Sequence, residues 1–122
     1  MTDNNQTSPA LTDLELAVFE AAIRGHPRIT EFTAQLDAAK VVLRTFSGVG
    51  FVTKLEVPAG LSLKAPVEVD ALPVVLAEHP ELGSGAEFIF QLKAGRINCI
   101  EAYCYEGMWP ADEALFRVWP KC

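Results

Sequence analysis

The segment 97-INCIEAYCYEGMWP-110 contains two cysteines, two tyrosines and two glutamates, side-chain types that serve in catalysis, metal binding and recognition. Read as a strand, it places Glu101 in one row with Cys99, Tyr103 and Tyr105. If this row of mainly apolar and aromatic side chains faces the core, a carboxylate in it costs free energy unless another group pairs with it. Glu101 is therefore a candidate acid or base, a candidate binding residue, or a carboxylate that holds the fold together.

Metal and nucleophile chemistry have little support elsewhere in the chain. The cysteines, Cys99, Cys104 and Cys122, have no metal-ligand spacing, and the first two point to opposite faces of a regular strand. His26 and His79 each precede a proline, and neither lies four residues from another ligand type, so a zinc site is not expected. We expect no metal, no cofactor and reduced thiols.

Two helices are predicted near the N-terminus, and their apolar faces must pack against the later part of the chain. Thr12 and Glu15 form a capping box, after which apolar residues recur at helical spacing until a glycine and a proline end the helix. A second helix is predicted over 28–39, where Ile29, Phe32 and Leu36 fall on one face.

The period then changes to alternation, and 40-KVVLRTFSGVGFVTKLEV-57 predicts a β-hairpin that turns near its glycines. The second strand has an apolar row that should face the core. The hairpin register sets Arg44 opposite Thr53 and Val42 opposite Leu55. Arg44 is therefore predicted on the core side of the sheet.

A second hairpin is predicted from strands over 86–93 and 96–105, joined by Ala94 and Gly95. A two-residue loop sets Phe88 opposite Glu101, so Glu101 also falls on a core row. A final strand over 114–119 could close the sheet. In the Pro- and Gly-rich stretch over 58–85, the predicted elements are a short strand over 67–69 and a short helix over 73–78.

Arg44 and Glu101 are thus two charged residues on apolar rows, and we expect them to meet as an ion pair that joins the hairpins. Such a pair can fix the register of a sheet, or it can hold Glu101 as a functional acid or base. The predicted fold is α+β, with two N-terminal helices packed on an antiparallel sheet of two hairpins plus a possible fifth strand. It forms a single domain over 11–122 after a flexible lead over 1–10.

Aromatic residues cluster late in the chain, at Tyr103, Tyr105, Trp109 and Trp119. Aromatic and methionine side chains at a surface are typical of a binding patch, and the tip 105-YEGMWP-110 is the natural place for one. The same residues could instead cover the open edge of the core.

Charge and composition limit the partners. The net charge of −6 and pI near 4.8 argue against nucleic acid and anionic membranes, which favour a basic face, and suit a basic partner. The polar N-terminus lacks the features of a signal peptide, and no apolar run approaches the ~20 residues of a membrane span. We expect a cytoplasmic protein.

The motifs 48-GVGF-51, 85-GAEF-88 and 95-GRINCIEAYCYEGMWP-110 resemble those of a family of small, mostly uncharacterised bacterial proteins. The resemblance covers most of residues 11–110. It implies a soluble bacterial α+β protein and brings no catalytic residues. The leading helices and late hairpin also resemble the nuclear-transport-factor-2-like cone fold, although the chain is a strand short of it. In size and charge the chain is similar to immunity proteins that neutralise toxins.

The leading hypothesis is a non-enzymatic binding or protein-interaction domain, whose partner is a second copy or another protein. The alternative is a small-ligand or enzymatic pocket at Glu101 inside a cone-like sheet, and a further alternative is a toxin-neutralising protein. No catalytic residue is assigned. The candidate binding residues are Glu101, Arg44, Tyr103, Tyr105 and Trp109.

Overall fold

The computed structural model describes residues 10–64 and 72–121, which form two α-helices and one six-stranded antiparallel sheet. The α+β prediction is confirmed, with six strands where five were predicted. The predicted strand over 67–69, and the lead over 1–10 except Ala10, lie outside the described residues. The elements are α1 Asp13–Ile23, α2 Ile29–Ala38, β1 Lys40–Ser47, β2 Gly50–Glu56, β3 Val75–His79, β4 Leu82–Lys93, β5 Arg96–Cys104 and β6 Arg117–Pro120.

The first helix begins and ends where its local signals predict, and the second lies within the predicted range 28–39. The Thr12 hydroxyl accepts a hydrogen bond from the Glu15 amide at 3.1 Å, and the Glu15 carboxylate accepts one from the Thr12 amide at 2.8 Å. This capping box satisfies two of the amides that the first turn of a helix leaves free. Just beyond α1, Gly25 adopts a positive φ of 79°, which a glycine reaches without strain.

The strands lie in the order β1-β2-β5-β4-β3-β6, with the two predicted hairpins next to each other at β2 and β5. In the first hairpin, Arg44 pairs with Thr53 as predicted, but Val41 rather than Val42 lies opposite Leu55. Val42 is the extra residue of a β-bulge, so it leaves the core row. The side of the sheet that packs on the helices is called the inner face below, and the other side the outer face.

A second bulge decides where Glu101 lies. Leu92 pairs with Ile97 as predicted, but Gln91 pairs with Cys99, so Asn98 is an extra residue on β5. One extra residue moves every later side chain to the opposite face. Phe88 therefore lies opposite Ala102, Glu101 lies opposite Ile89, and the prediction that Glu101 falls on the core row is wrong.

The strand that the sequence did not predict is β3, which lies in the Pro- and Gly-rich stretch over 58–85. Residues 73–78 were predicted to be helical, but β3 runs through Val75–His79, between β4 and β6. Its burial alternates, with Val75 and Ala77 inside and Leu76 and Glu78 more exposed. The predicted last strand is present as β6, displaced a few residues towards the C-terminus.

The sheet curves around α1. Its outermost strands, β1 and β6, would lie about 24 Å apart in a flat sheet, since neighbouring strands are about 4.8 Å apart. Yet α1 contacts β6, and Glu15 on α1 bonds to Arg44 on β1. Both edges therefore reach the same helix. The enclosed core is dominated by Phe19, Phe32, Phe88, Ile97 and Ile100.

Candidate functional site

A buried carboxylate on the inner face joins the helices to the first hairpin. Glu15 has no solvent exposure. Its Oε1 accepts from Arg44 Nη2 at 2.5 Å, and its Oε2 accepts from Arg44 Nε at 3.1 Å and from the Thr53 hydroxyl at 2.5 Å. Together with the Thr12 amide, these groups provide four hydrogen-bond donors to the carboxylate. A buried charge needs such an arrangement, because it has lost its water shell.

The inner pair corrects the predicted one. Arg44 lies on the core side as expected, but its partner is Glu15 and not Glu101. The sequence does indicate that Glu15 is buried, although its place in the capping box offers another explanation for a glutamate there. Glu15 lies three and four residues before Val18 and Phe19, so it belongs to the apolar stripe of α1 as well as to its cap. Glu15 and Arg44 have the geometry of a structural ion pair.

The outer face carries a second carboxylate with two side-chain donors. Tyr103 pairs with Glu87 across β5 and β4, and its hydroxyl donates to Glu87 Oε2 at 2.6 Å. The Tyr105 hydroxyl donates to the other oxygen, Oε1. The two rings meet edge to face, with centroids 5.7 Å apart. Glu87, Tyr103 and Tyr105 are called the aromatic–acid cluster below.

The electrostatics of this cluster suit binding better than proton transfer. Hydrogen bonds from Tyr103 and Tyr105 lower the pKa of Glu87, so the carboxylate stays charged at neutral pH. The same bond to Glu87 raises the pKa of Tyr103, and raises that of Tyr105 to about 12, so both stay protonated. An efficient acid or base has a pKa near the working pH. The cluster is therefore a fixed anion framed by neutral rings.

A groove of about 390 Å³ runs beside the cluster on the outer face. It opens where residues 83–85 of β4 lie opposite Glu78 alone, a bulge of two extra residues. Gly85 has a φ of 78°, and a Cβ there would lie 2.7 Å from the Ala77 carbonyl oxygen, so only glycine fits. The outer groove, as it is called below, is lined by Leu76, Glu78, Gly83, Ser84, Gly85, Tyr105 and Trp119.

The remaining predicted site residues divide between the two faces. Glu101 lies on the outer face, opposite Val52 and Ile89, and faces away from the interior. Trp109 closes the core instead. Its ring packs against Phe51, Phe88 and Phe116, and its indole N–H donates to Glu113 at 2.8 Å. Trp119, whose binding role the sequence left open, is 40% exposed at the outer groove.

The thiols and the acidic residues of the described ranges were the remaining candidates for chemistry. Cys99 and Cys104 are buried and unpaired, and burial, followed by the charge of Glu101, raises the pKa of Cys99. A thiol of this kind is a weak nucleophile at neutral pH. Within residues 10–64 and 72–121, no three His, Cys, Asp or Glu side chains gather as a metal site would require. With 11 and 10 residues, the two α-helices of these ranges fall short of a membrane-crossing length.

No protein family, curated protein or solved structure matches this chain. The resemblance of its motifs to small bacterial proteins, and the cone-like fold that part of the chain suggested, therefore stay predictions.

Proposed function

We propose that this protein is a non-enzymatic binding protein, and that the aromatic–acid cluster with the outer groove recognises a cationic side chain of a partner protein. The observation that supports this most directly is Glu87, a carboxylate held by two tyrosine hydroxyls at a partly exposed position. Two hydrogen bonds fix the carboxylate before any partner arrives, so little side-chain freedom is lost on binding.

An arginine is the side chain that this surface suits best. A guanidinium presents several donors in one plane, so it can bond to the carboxylate oxygens while its face stacks on an aromatic ring. Tyr105 and Trp119, 50% and 40% exposed, supply such rings at the groove. Tyrosine, tryptophan and arginine are also the residue types that dominate binding energies at protein interfaces.

Charge around the groove favours the same partner. Glu78 lines the groove, and Glu106 accepts a hydrogen bond at 2.9 Å from Ser84, which also lines it. Two cations lie among these carboxylates: Arg117 pairs with Glu78 at 3.8 Å between largely exposed groups, and the charge of Lys121 contributes to lowering the pKa of Glu87. Together with the net charge of −6, these carboxylates would speed the encounter with a basic partner. A basic toxin would be one such partner, and the acidic charge of the chain is the one observation that supports it.

The test uses a blocked peptide, acetyl-Gly-Arg-Gly-amide, titrated into ¹⁵N-labelled protein. The chain has two tryptophans, so the indole of Trp119 reports on the groove while that of Trp109 is an internal control. We expect the Trp119 signal to move and the Trp109 signal to stay. Glu87→Gln should weaken this binding by about tenfold, the effect of one lost charge-assisted contact. Glu20→Gln, an exposed glutamate on α1, should leave it unchanged.

Acetyl-Gly-Glu-Gly-amide is the matched peptide of opposite charge. Equal shifts from both peptides, or no shift from the arginine peptide at any accessible concentration, would rule out a cation site. Shifts confined to residues outside the groove would place the binding elsewhere and equally reject the proposal. Added salt should weaken the arginine response, because the contacts are partly exposed.

A further inference from the structure

The two edges of the sheet are closed to different degrees. β6 is four residues long, ends in Pro120 and carries the exposed Arg117. Short length, proline and charge are the features by which natural sheets prevent an edge from pairing with another strand. β6 therefore offers little to a new strand.

β1 is the opposite case. It is eight residues long, and within the described residues only β2 pairs with it. Beyond the bulge, residues 43–47 pair regularly with β2, so their other side presents backbone donors and acceptors to solvent. Arg44 on this strand points inward to Glu15, so its charge does not prevent the edge from pairing with another strand. The apolar side chains Val42, Leu43 and Phe46 are 62%, 55% and 68% exposed.

The apolar surface continues past the end of the strand. Val49, in the turn after β1, and Met108 are both largely exposed. Met108 is held next to this turn, because the Trp109 amide donates to the Gly48 carbonyl at 2.9 Å and a Cβ on Gly48 would lie 3.6 Å from the Met108 methyl. The open strand and this apolar end form one surface.

Charge identifies the kind of strand that fits. Residues 38–55 contain no aspartate or glutamate, in a chain with 16 of them and a net charge of −6. Two copies of so acidic a chain repel each other over most of their surfaces, and β1 is a place where they would not. An antiparallel pairing over residues 43–47 would also leave the two Lys40 side chains at opposite ends. A strongly basic partner, by contrast, would find no carboxylate on this strand.

We propose that β1 pairs antiparallel with β1 of a second copy, which joins two sheets into one across a two-fold axis. Each copy has one open edge, so the assembly closes at two and does not extend into fibres. Val42, Leu43 and Phe46 of both copies lose solvent exposure there. The pairing goes beyond the proposed binding function, and the outer grooves, near the far edge of each sheet, stay free for two partners.

Sedimentation equilibrium from micromolar to millimolar protein tests the pairing. We expect a monomer–dimer equilibrium, and Leu43→Lys should raise its dissociation constant by at least about tenfold, because in each copy a charged side chain replaces an apolar one that the pairing covers. Leu43 is exposed in the single chain, so the variant should fold as the wild type does. Leu115→Lys, at a comparably exposed leucine in the connection before β6, is the matched control and should not change the constant.

Hydrogen exchange locates the contact without a variant. Backbone amides of residues 43–47 that face away from β2 should exchange more slowly as protein concentration rises, while those of β6 should not change. A monomer at every concentration would overturn the proposal and leave the edge for a strand of another protein. A dimer that Leu43→Lys leaves intact, or whose β1 amides show no added protection, would overturn it as well.

Discussion

Glu15 and Glu87 are both glutamates that accept hydrogen bonds from two side chains, yet they lie on opposite faces of the sheet. Glu15 is fully buried and is bonded by Arg44 and Thr53. Glu87 is partly exposed and is bonded by Tyr103 and Tyr105. The inner carboxylate has a cationic partner, whereas the two side chains bonded to the outer one are neutral.

The difference shows how one chemical group serves two purposes. In the interior, no water replaces a lost partner, so each donor to Glu15 matters for stability. On the outer face, water can replace a tyrosine hydroxyl, so stability depends little on the cluster. The negative charge of Glu87 remains available for a cation, while that of Glu15 is already used. Stability should therefore respond to the inner site, and binding to the outer one.

The largest expected effect is that of Arg44→Met. The variant leaves the buried Glu15 without its cation, and removal of one partner of a buried pair costs about 3–5 kcal/mol. The free energy of unfolding in urea measures the loss. Arg117→Met removes an arginine that pairs with Glu78 on the surface, and it should cost less than about 1 kcal/mol. Equal costs for the two arginines would remove the distinction between the faces.

The sequence predicted half of this inner site correctly. Arg44 is correctly predicted inside because strand parity is reliable over the few residues on either side of a tight turn, and Arg44 lies three residues before one. Its predicted partner, Glu101, lies on another strand, where parity fails at the Asn98 bulge three residues earlier. Nothing in the residues around Asn98 indicates a bulge, since no glycine marks it. A single insertion exchanged the faces of Glu101 and Ala102.

β3 was missed for a different reason. Residues 72–77 read LPVVLA, a short apolar run, and such runs do not distinguish a buried strand from a helical segment by periodicity. What makes it a strand is its position between β4 and β6, which supply its backbone partners. The outer groove depends on this strand and on the bulge opposite it. No local pattern in the sequence could have located that groove.

The two tryptophans provide the next test, because the sequence placed them in one late cluster and the structure separates them. Trp109→Ala should cost about 3 kcal/mol, since it empties a position packed on three phenylalanine rings. Trp119→Ala should cost much less, because that ring is already 40% exposed. Thermal unfolding of both variants measures the contrast. A larger loss for Trp119 would mean that the groove is part of the core.

Thr53→Val isolates one hydrogen bond of the inner site. The two side chains have nearly the same shape, so the main loss is the hydroxyl that donates to Glu15 at 2.5 Å. Because the acceptor is charged and buried, we expect a cost of about 2 kcal/mol. Thr45→Val, on the exposed side of β1, is the control and should be nearly neutral. Urea unfolding with an unchanged slope would show that the native state alone is affected.

The smallest expected effect on stability is that of Glu87→Gln, yet it should change the titration of both tyrosines. Their hydrogen bonds to the carboxylate raise the pKa of Tyr103, and raise that of Tyr105 from 10 to about 12. The folded chain thus holds the Tyr105 proton more tightly than the unfolded chain does. This contribution to stability is full below pH 10 and is lost as the pH rises towards 12.

Phenolate absorbance measures these groups directly, because Tyr103 and Tyr105 are the two tyrosines of the chain. In Glu87→Gln, a neutral amide replaces the anion, so both phenols should ionise at lower pH than in the wild type. Glu20→Gln should leave the curve unchanged. If the curve of Glu87→Gln coincided with that of the wild type, the two hydroxyls would not be bound to Glu87. The outer face would then lack the prepositioned anion that sets it apart from an ordinary solvated sheet.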